Sequence, residues 1–156
     1  MGEPREPDRR YTRRPGAYAI IARDGVLLLT EQTACEVEIQ LPGGGVDPGE
    51  TPVQALHREV LEETGHRIQI RRKLGAYQRY TYMPEYDLWA HKICHIFLAT
   101  PALRKPVPLE AGHKVLWRTP REAFSVLSTD GDRHMLALAL GLHEVPRDLV
   151  PALPGL

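Results

Sequence analysis

Apolar and polar positions along the chain fall into short runs with two different periods. AYAIIAR (17–23) and VLLLTEQ (26–32) flank Asp24-Gly25. An Asp-Gly pair between apolar runs predicts a type I′ hairpin, because both central residues must take positive φ. CEVEIQL (35–41) alternates polar with apolar residues and runs into Pro42-Gly43-Gly44-Gly45, so a half-buried strand is expected to deliver the chain to a glycine-rich loop. The period then lengthens. Thr51 can cap a helix, with Gln54 completing a capping box, Pro52 in the first turn and Gly65 as the stop, which predicts a helix over Pro52 to Thr64. Val53, Leu56 and Val60 form its apolar stripe. RIQIRRKLGAYQRYTYM (67–83) and HKICHIFLAT (91–100) are expected strands joined by a loop around Pro84 to Asp87, and KVLWRT (114–119) a shorter strand. Pro120 to Leu127 and Arg133 to Leu142 carry helical patterns. This order of elements predicts an α/β protein with a mixed sheet covered by helices on both faces.

Length and composition set bounds on this picture. A chain of 156 residues fits one compact domain, expected over 16–145, with a polar, proline-interrupted mobile arm over 1–15 and a Pro-rich tail over 146–156. Lys+Arg and Asp+Glu are both 20, so recognition of a phosphate has to be local and not a property of the whole surface. Cys35 and Cys94 match neither a zinc spacing nor a disulfide framework. Both are expected to be small core residues of a protein in a reducing compartment. The first residues hold no apolar stretch of the signal-peptide kind, and the run from Met135 to Leu142 is far short of the roughly 20 residues that span a bilayer. A cytoplasmic, soluble protein with no membrane partner is the expectation.

Candidate chemistry sits on the predicted first helix. Glu59, Glu62 and Glu63 stand at i, i+3 and i+4, which places three carboxylates on one face, beside the apolar stripe and at the rim of the buried surface. Such acids repel one another, and a cation relieves the repulsion. The donors are oxygens, with no Cys or well-placed His on that face, so Mg2+ or Mn2+ is indicated over zinc. Glycines at 43–45 let backbone groups approach a metal or phosphate closely. Arg58, four residues before Glu62, is positioned to pair with it and leave the other acids free. An E-x-x-E-E run by itself is usually a solvated face; the register with the glycine loop, Glu50 and Arg58 favours a site.

The run GGGVDPGETPVQALHREVLEETGH (43–66) resembles the Nudix box: Gly44, five residues, Glu50, seven residues, then Arg58-Glu59-Val60-Leu61-Glu62-Glu63-Thr64-Gly65. His66 departs from the pattern, standing where an aliphatic residue is usual. The resemblance implies an α/β/α sandwich and metal-dependent hydrolysis of a pyrophosphate bond in a nucleoside diphosphate linked to another moiety. It also implies Glu59, Glu62 and Glu63 as metal ligands, with the Gly44 carbonyl as a further one, and Glu50 and Arg58 in support. In that family the general base is a box glutamate, here Glu62 or Glu63, or a glutamate from a later loop, here Glu110; His113 is a weaker candidate.

Residues 77–89 gather Tyr77, Tyr80, Tyr82, Tyr86 and Trp89, half of the ten aromatics. Tyr80, Tyr82 and Arg79 are the candidate substrate-binding residues there. The competing account is that alternating tyrosines pack against neighbouring strands, while Arg79, His91 and Lys92 are solvated charges. Candidate substrates are nucleoside triphosphates, oxidised or not, nucleotide sugars, dinucleoside polyphosphates and the 5′ end of an RNA, the one nucleic-acid partner considered. A homodimer is a family expectation. The alternative function is a sensor that binds a nucleotide without turning it over, against which the complete glutamate set argues.

Overall fold

The computed structural model describes residues 3–33, 35–105 and 108–142, and the expected tail over 146–156 lies outside them. Strands β1 (Thr12–Arg23), β2 (Val26–Thr33), β3 (Val37–Gln40) and β4 (Gly43–Gly45) are followed by helix α1 (Pro52–Thr64). Then come β5 (His66–Met83), a single 3-10 turn (Pro84–Tyr86), β6 (Leu88–Arg104), β7 (His113–Arg118), α2 (Pro120–Val126) and α3 (Asp130–Ala139). The strands form one mixed sheet in the order β3-β2-β1-β6-β5, with β4 also on β1 and β7 on β2. β1 and β6 run parallel from Thr12↔Ala90 to Ile21↔Ala99, and every other pairing is antiparallel.

Each sheet face buries its own core. Ala17, Ala19, Ile21, Leu28, Phe97 and Ala99 meet Leu56 and Val60 of α1. Tyr18, Ile20, Leu29, Cys94 and Ile96 meet Phe124, Leu127, Met135 and Leu136 of the α2–α3 layer. The period-2 alternation of β1 decides which residue faces which layer. The result is the expected α/β/α sandwich.

Several local expectations hold and others are corrected. Asp24 and Gly25 have φ of 52° and 80°, as a type I′ turn needs. Thr51 and Gln54 form the reciprocal capping box, and Gly65 closes α1 in the left-handed region. The sheet takes in more chain than expected. β1 begins at Thr12, so the end of the anticipated arm is strand, and Glu3 donates its N–H to the Tyr80 carbonyl at 2.7 Å. Gly43–Gly45, expected as a loop, is a strand on β1. Val53 is 41% exposed and does not share the buried stripe, whose third buried position is Ala55. Cys94 is in the core but Cys35 is exposed. α3 starts three residues early, capped by Thr129, whose hydroxyl accepts from the Asp132 N–H, and it ends before Gly141, which takes positive φ. The Thr-Asp-Gly-Asp run disguised that start: Gly131 is there because a Cβ would lie 2.3 Å from the Tyr77 ring. Among the described residues, no helix is long and apolar enough to cross a membrane.

Candidate active site

β4 and α1 build the site together. At Gly43 the chain takes φ +142° so close to β1 that a Cβ would lie 2.1 Å from the Ala17 carbonyl oxygen. At Gly44 a Cβ would lie 2.4 Å from the carboxyl carbon of Glu59. The glycines therefore let α1 seat its carboxylates directly on the strand backbone.

The three box glutamates do not share one environment. Glu63 is buried, its side chain 5% exposed, where the sequence placed all three acids at a rim. Its Oε2 accepts from the Gly43 N–H at 3.1 Å, and its Oε1 lies 3.4 Å from His113 Nε2. Burial raises its pKa, against the opposing pull of His113 and the Gly43 N–H. Glu59 is half-buried, and desolvation outweighs the neighbouring Arg58 in raising its pKa, with the Glu63 and Glu62 charges adding to the rise. Glu62 is 49% exposed.

Arg58 has a different partner from the one expected. It forks onto Glu50, Nε to Oε1 at 2.7 Å and one terminal nitrogen to Oε2 at 2.9 Å, and also donates to Glu59 at 2.8 Å and to the Gly45 carbonyl at 3.0 Å. Glu62 receives only a long contact of 3.4 Å. A planar guanidinium can hold a carboxylate bidentately, and the eight-residue return from Glu50 supplies the better geometry. The clamp thus ties the loop after β4 to α1. Its hydrogen bonds hold the Glu50 carboxyl down at about 2. Folding favours the ionised form, so this contribution is full above the ordinary value of 4.5 and is lost as pH falls through about 2. Urea midpoints at pH 3 and pH 6 should differ less in Glu50→Gln than in the parent protein. An equal difference would show that the clamp does not contribute.

Two residues arrive from the turn before β7 and from its first position. Glu110 donates its backbone N–H to the Glu62 carbonyl at 3.0 Å, and its carboxylate is 52% exposed. His113 is 6% exposed in its side chain, with Nδ1 3.6 Å from Glu110 Oε2, and its pKa is raised chiefly by the bond to Glu63. One donor atom from each of Glu59, Glu62 and Glu110 lies within 4.8 Å of the others, and the same is true of Glu63, Glu110 and His113. A histidine therefore does reach the acid cluster, which inspection of α1 alone missed. The donor set, mostly carboxylate oxygen, fits a hard divalent cation.

A cleft of about 600 Å3 opens beside Glu59, lined by Asp47 and Glu50 and also by Arg13, Arg14, Tyr18, Tyr86 and Lys92. The expected substrate residues do not line it. Tyr80 packs between Tyr11 and a stacked His91, and Tyr82 packs on Trp89 and donates to Asp87. Alternation explains this. Tyr80 and Tyr82 lie across from His91 and Trp89, whereas Arg79 lies across from Lys92 on the other face. Tyr18 and Tyr86 are the cleft aromatics, and only Tyr86 stood within the stretch singled out from sequence.

The family model for the NUDIX domain matches residues 12–139. A Bacillus subtilis (strain 168) protein provisionally named 8-oxo-dGTP diphosphatase is 38% identical over 74 residues, 47% of this chain and 50% of that protein. An RNA pyrophosphohydrolase of Helicobacter pylori (strain G27) is 41% identical over 73 residues, 43% of this chain and 45% of its own. The chain thus spans about half the length of the curated relatives it matches. Among solved structures, a Nudix hydrolase from Nitrosomonas europaea superposes with a TM-score of 0.69 at 22% identity, covering 90% of this chain and 97% of the other. A MutT Nudix hydrolase from Burkholderia pseudomallei gives 0.61 at 26% identity, covering 81% and 98%. With the box glutamates seated on the glycine strand and the domain model spanning nearly the whole described sandwich, the chain belongs to the Nudix family.

Proposed function

We propose that this protein hydrolyses a pyrophosphate bond in a nucleoside diphosphate joined to a further moiety, with Mg2+ or Mn2+ as cofactor. The observation that carries this reading is the convergence of Glu59, Glu62 and Glu110 beside a cleft large enough for a nucleotide. The names of the relatives, an RNA pyrophosphohydrolase and an 8-oxo-dGTP diphosphatase, point to the same bond type. A bound divalent ion supplies neutralisation of the phosphate charge that builds up as the anhydride breaks.

The chain's own groups divide the remaining work. Glu59, Glu62 and Glu63 would hold the cation, with the Gly44 backbone beside Glu59. Arg58 holds Glu50 and Glu59 in place from behind. Glu110 is the base in this reading: its half-exposed carboxylate stands at the acid cluster, within reach of water, and can accept the proton of an attacking water molecule. His113 lies against Glu63 and would help orient it, with Glu110 beside its other ring nitrogen. Nucleoside triphosphates, nucleotide sugars, dinucleoside polyphosphates and RNA 5′ ends are the substrates to compare.

The test is a substrate panel with Mg2+, resolving phosphate, pyrophosphate and nucleoside monophosphate, run beside Mn2+ titration followed by electron paramagnetic resonance. Turnover of at least one substrate is expected, with weakened Mn2+ binding in Glu62→Gln. Mn2+-dependent nucleotide binding with no turnover of any substrate would overturn the enzymatic reading in favour of a sensor.

A further inference from the structure

Three basic residues form a row across three adjacent strands. Arg14 of β1 lies directly across from Lys92 of β6, and Lys92 lies directly across from Arg79 of β5. Directly opposed residues share a sheet face, and like charges so placed are destabilising. The face is that of Tyr18, whose ring lies 5.9 Å from Lys92 Nζ. None of the three is well solvated. Arg14, Arg79 and Lys92 are all half-buried, and Arg79 Nε is buried with no hydrogen-bond partner.

The surroundings do not neutralise the row. No ion pair links Arg14, Arg79 or Lys92 to a carboxylate among the described residues. Asp132 and Glu38 are the acids whose charge reaches Lys92, and Asp132 also interacts with Arg79. Asp132 is already engaged by the Leu41 N–H at 3.4 Å and the Tyr77 hydroxyl at 2.8 Å, and its burial favours the protonated form. Aromatic rings compensate in part: the Arg14 guanidinium sits 4.5 Å over Tyr86 and Lys92 approaches Tyr18. Burying cations without counter-charge is costly: burial and the neighbouring Arg79 lower the pKa of Lys92, and a bound anion offsets that cost. Arg14 and Lys92 line the same cleft as Glu50 and Glu59, and Arg79 stands next to Lys92 in the row.

From this row we infer that Arg14, Lys92 and Arg79, with Tyr18 and Tyr86 beside them, bind a phosphoryl group of the substrate other than the one held at the glutamates. The guanidinium and ammonium groups of the row are donors only, so this end of the cleft takes acceptor-rich oxygen clusters. The preferred substrate then carries phosphate beyond the bond that is cut, as in a polyphosphate chain or the first internal phosphodiester of a triphosphorylated RNA end. The identity of the ligand as substrate rests on the proposed function. The anion site itself does not.

The first measurement needs no turnover. In EDTA, binding of inorganic tripolyphosphate to the whole protein is followed by equilibrium dialysis, for the parent, Lys92→Met and Arg14→Gln. Salt-sensitive binding by the parent is expected, weakened by about tenfold or more in each variant. The melting temperature of Lys92→Met should be equal or higher, because a charge flanked by two like charges has gone; a row kept only for packing would lose stability instead. If Lys92→Met does not fold, Arg14→Gln decides alone. Absent binding by the parent, or unchanged binding in the variants, overturns the site.

The second measurement compares kcat/KM for a triphosphorylated dinucleotide and for ADP-ribose, which has no phosphate beyond its diphosphate. Lys92→Met should lower the ratio of the two by about tenfold or more. An unchanged ratio, with tripolyphosphate binding lost, overturns the assignment to substrate and leaves a site for free phosphate. Failure of every substrate to turn over defeats the proposed function and not the dialysis result.

Discussion

Glu63→Gln is expected to lower turnover by about 10³-fold, roughly 4 kcal/mol of barrier, if this carboxylate helps hold the cation, and at the same time to leave the metal-free protein as stable as the parent or more so. The two effects have one origin. Glu63 is buried between the Gly43 N–H and His113, and its charge is costly there until a cation arrives. Glutamine keeps an acceptor for Gly43 without that charge. The pH dependence has a definite sign. Burial raises the pKa of Glu63 and the bond to Glu63 raises that of His113, so the folded pair retains more protons than the unfolded chain. The stability of the metal-free protein should therefore fall as pH rises from the ordinary glutamate value of 4.5 through the elevated values of the pair. Thermal melts in EDTA from pH 4 to pH 8 check this. A Glu63→Gln protein with parental activity, or an equally steep pH slope, would show that Glu63 has no part in the site.

The neighbouring glycines should respond to alanine in opposite ways. Gly43→Ala must fit a Cβ 2.1 Å from the Ala17 oxygen and 2.6 Å from the Tyr18 Cα, at φ +142°. Both obstacles are backbone, so the strand pair has to separate. A cost of about 3–5 kcal/mol follows, or a drop of about 10 °C in Tm. Gly44→Ala meets only the Glu59 carboxylate, at 2.4 to 2.8 Å. That side chain can rotate away, so Tm should change little while activity falls about 10²-fold through displacement of Glu59. Calorimetry and a steady-state assay on the two proteins separate the cases. Equal losses of stability would mean that Glu59 is held as rigidly as backbone.

The sequence was most legible where a local rule acts alone. The capping box at Thr51, the stop at Gly65 and the Asp24-Gly25 turn are each set by neighbours a few residues away. The glutamate spacing on α1 is likewise a property of helix geometry. What could not be read depends on residues distant in the chain. His113 reaches Glu63 because β7 pairs with β2, a non-local register that no spacing on α1 reveals. Arg58 has acids within its own helix, and the preference for Glu50 emerges only when the loop after β4 folds back. Tyr80 and Tyr82 stood as substrate-binding candidates because composition cannot say which sheet face opens on a cleft. Lys92 was read as a solvated charge for the same reason.

The hydrogen bond from the Glu110 N–H to the Glu62 carbonyl joins two requirements. One of the last carbonyls of α1, which a helix end leaves without an internal partner, is satisfied by the chain that carries the late acid. A peptide group makes that bond, and any residue except proline can provide it. Place and reactivity at position 110 are therefore separable: the main chain fixes where a side chain is presented, and the side chain is free to differ. A fold arranged in this way can exchange the group it offers to an incoming water or ligand without rebuilding the scaffold around it.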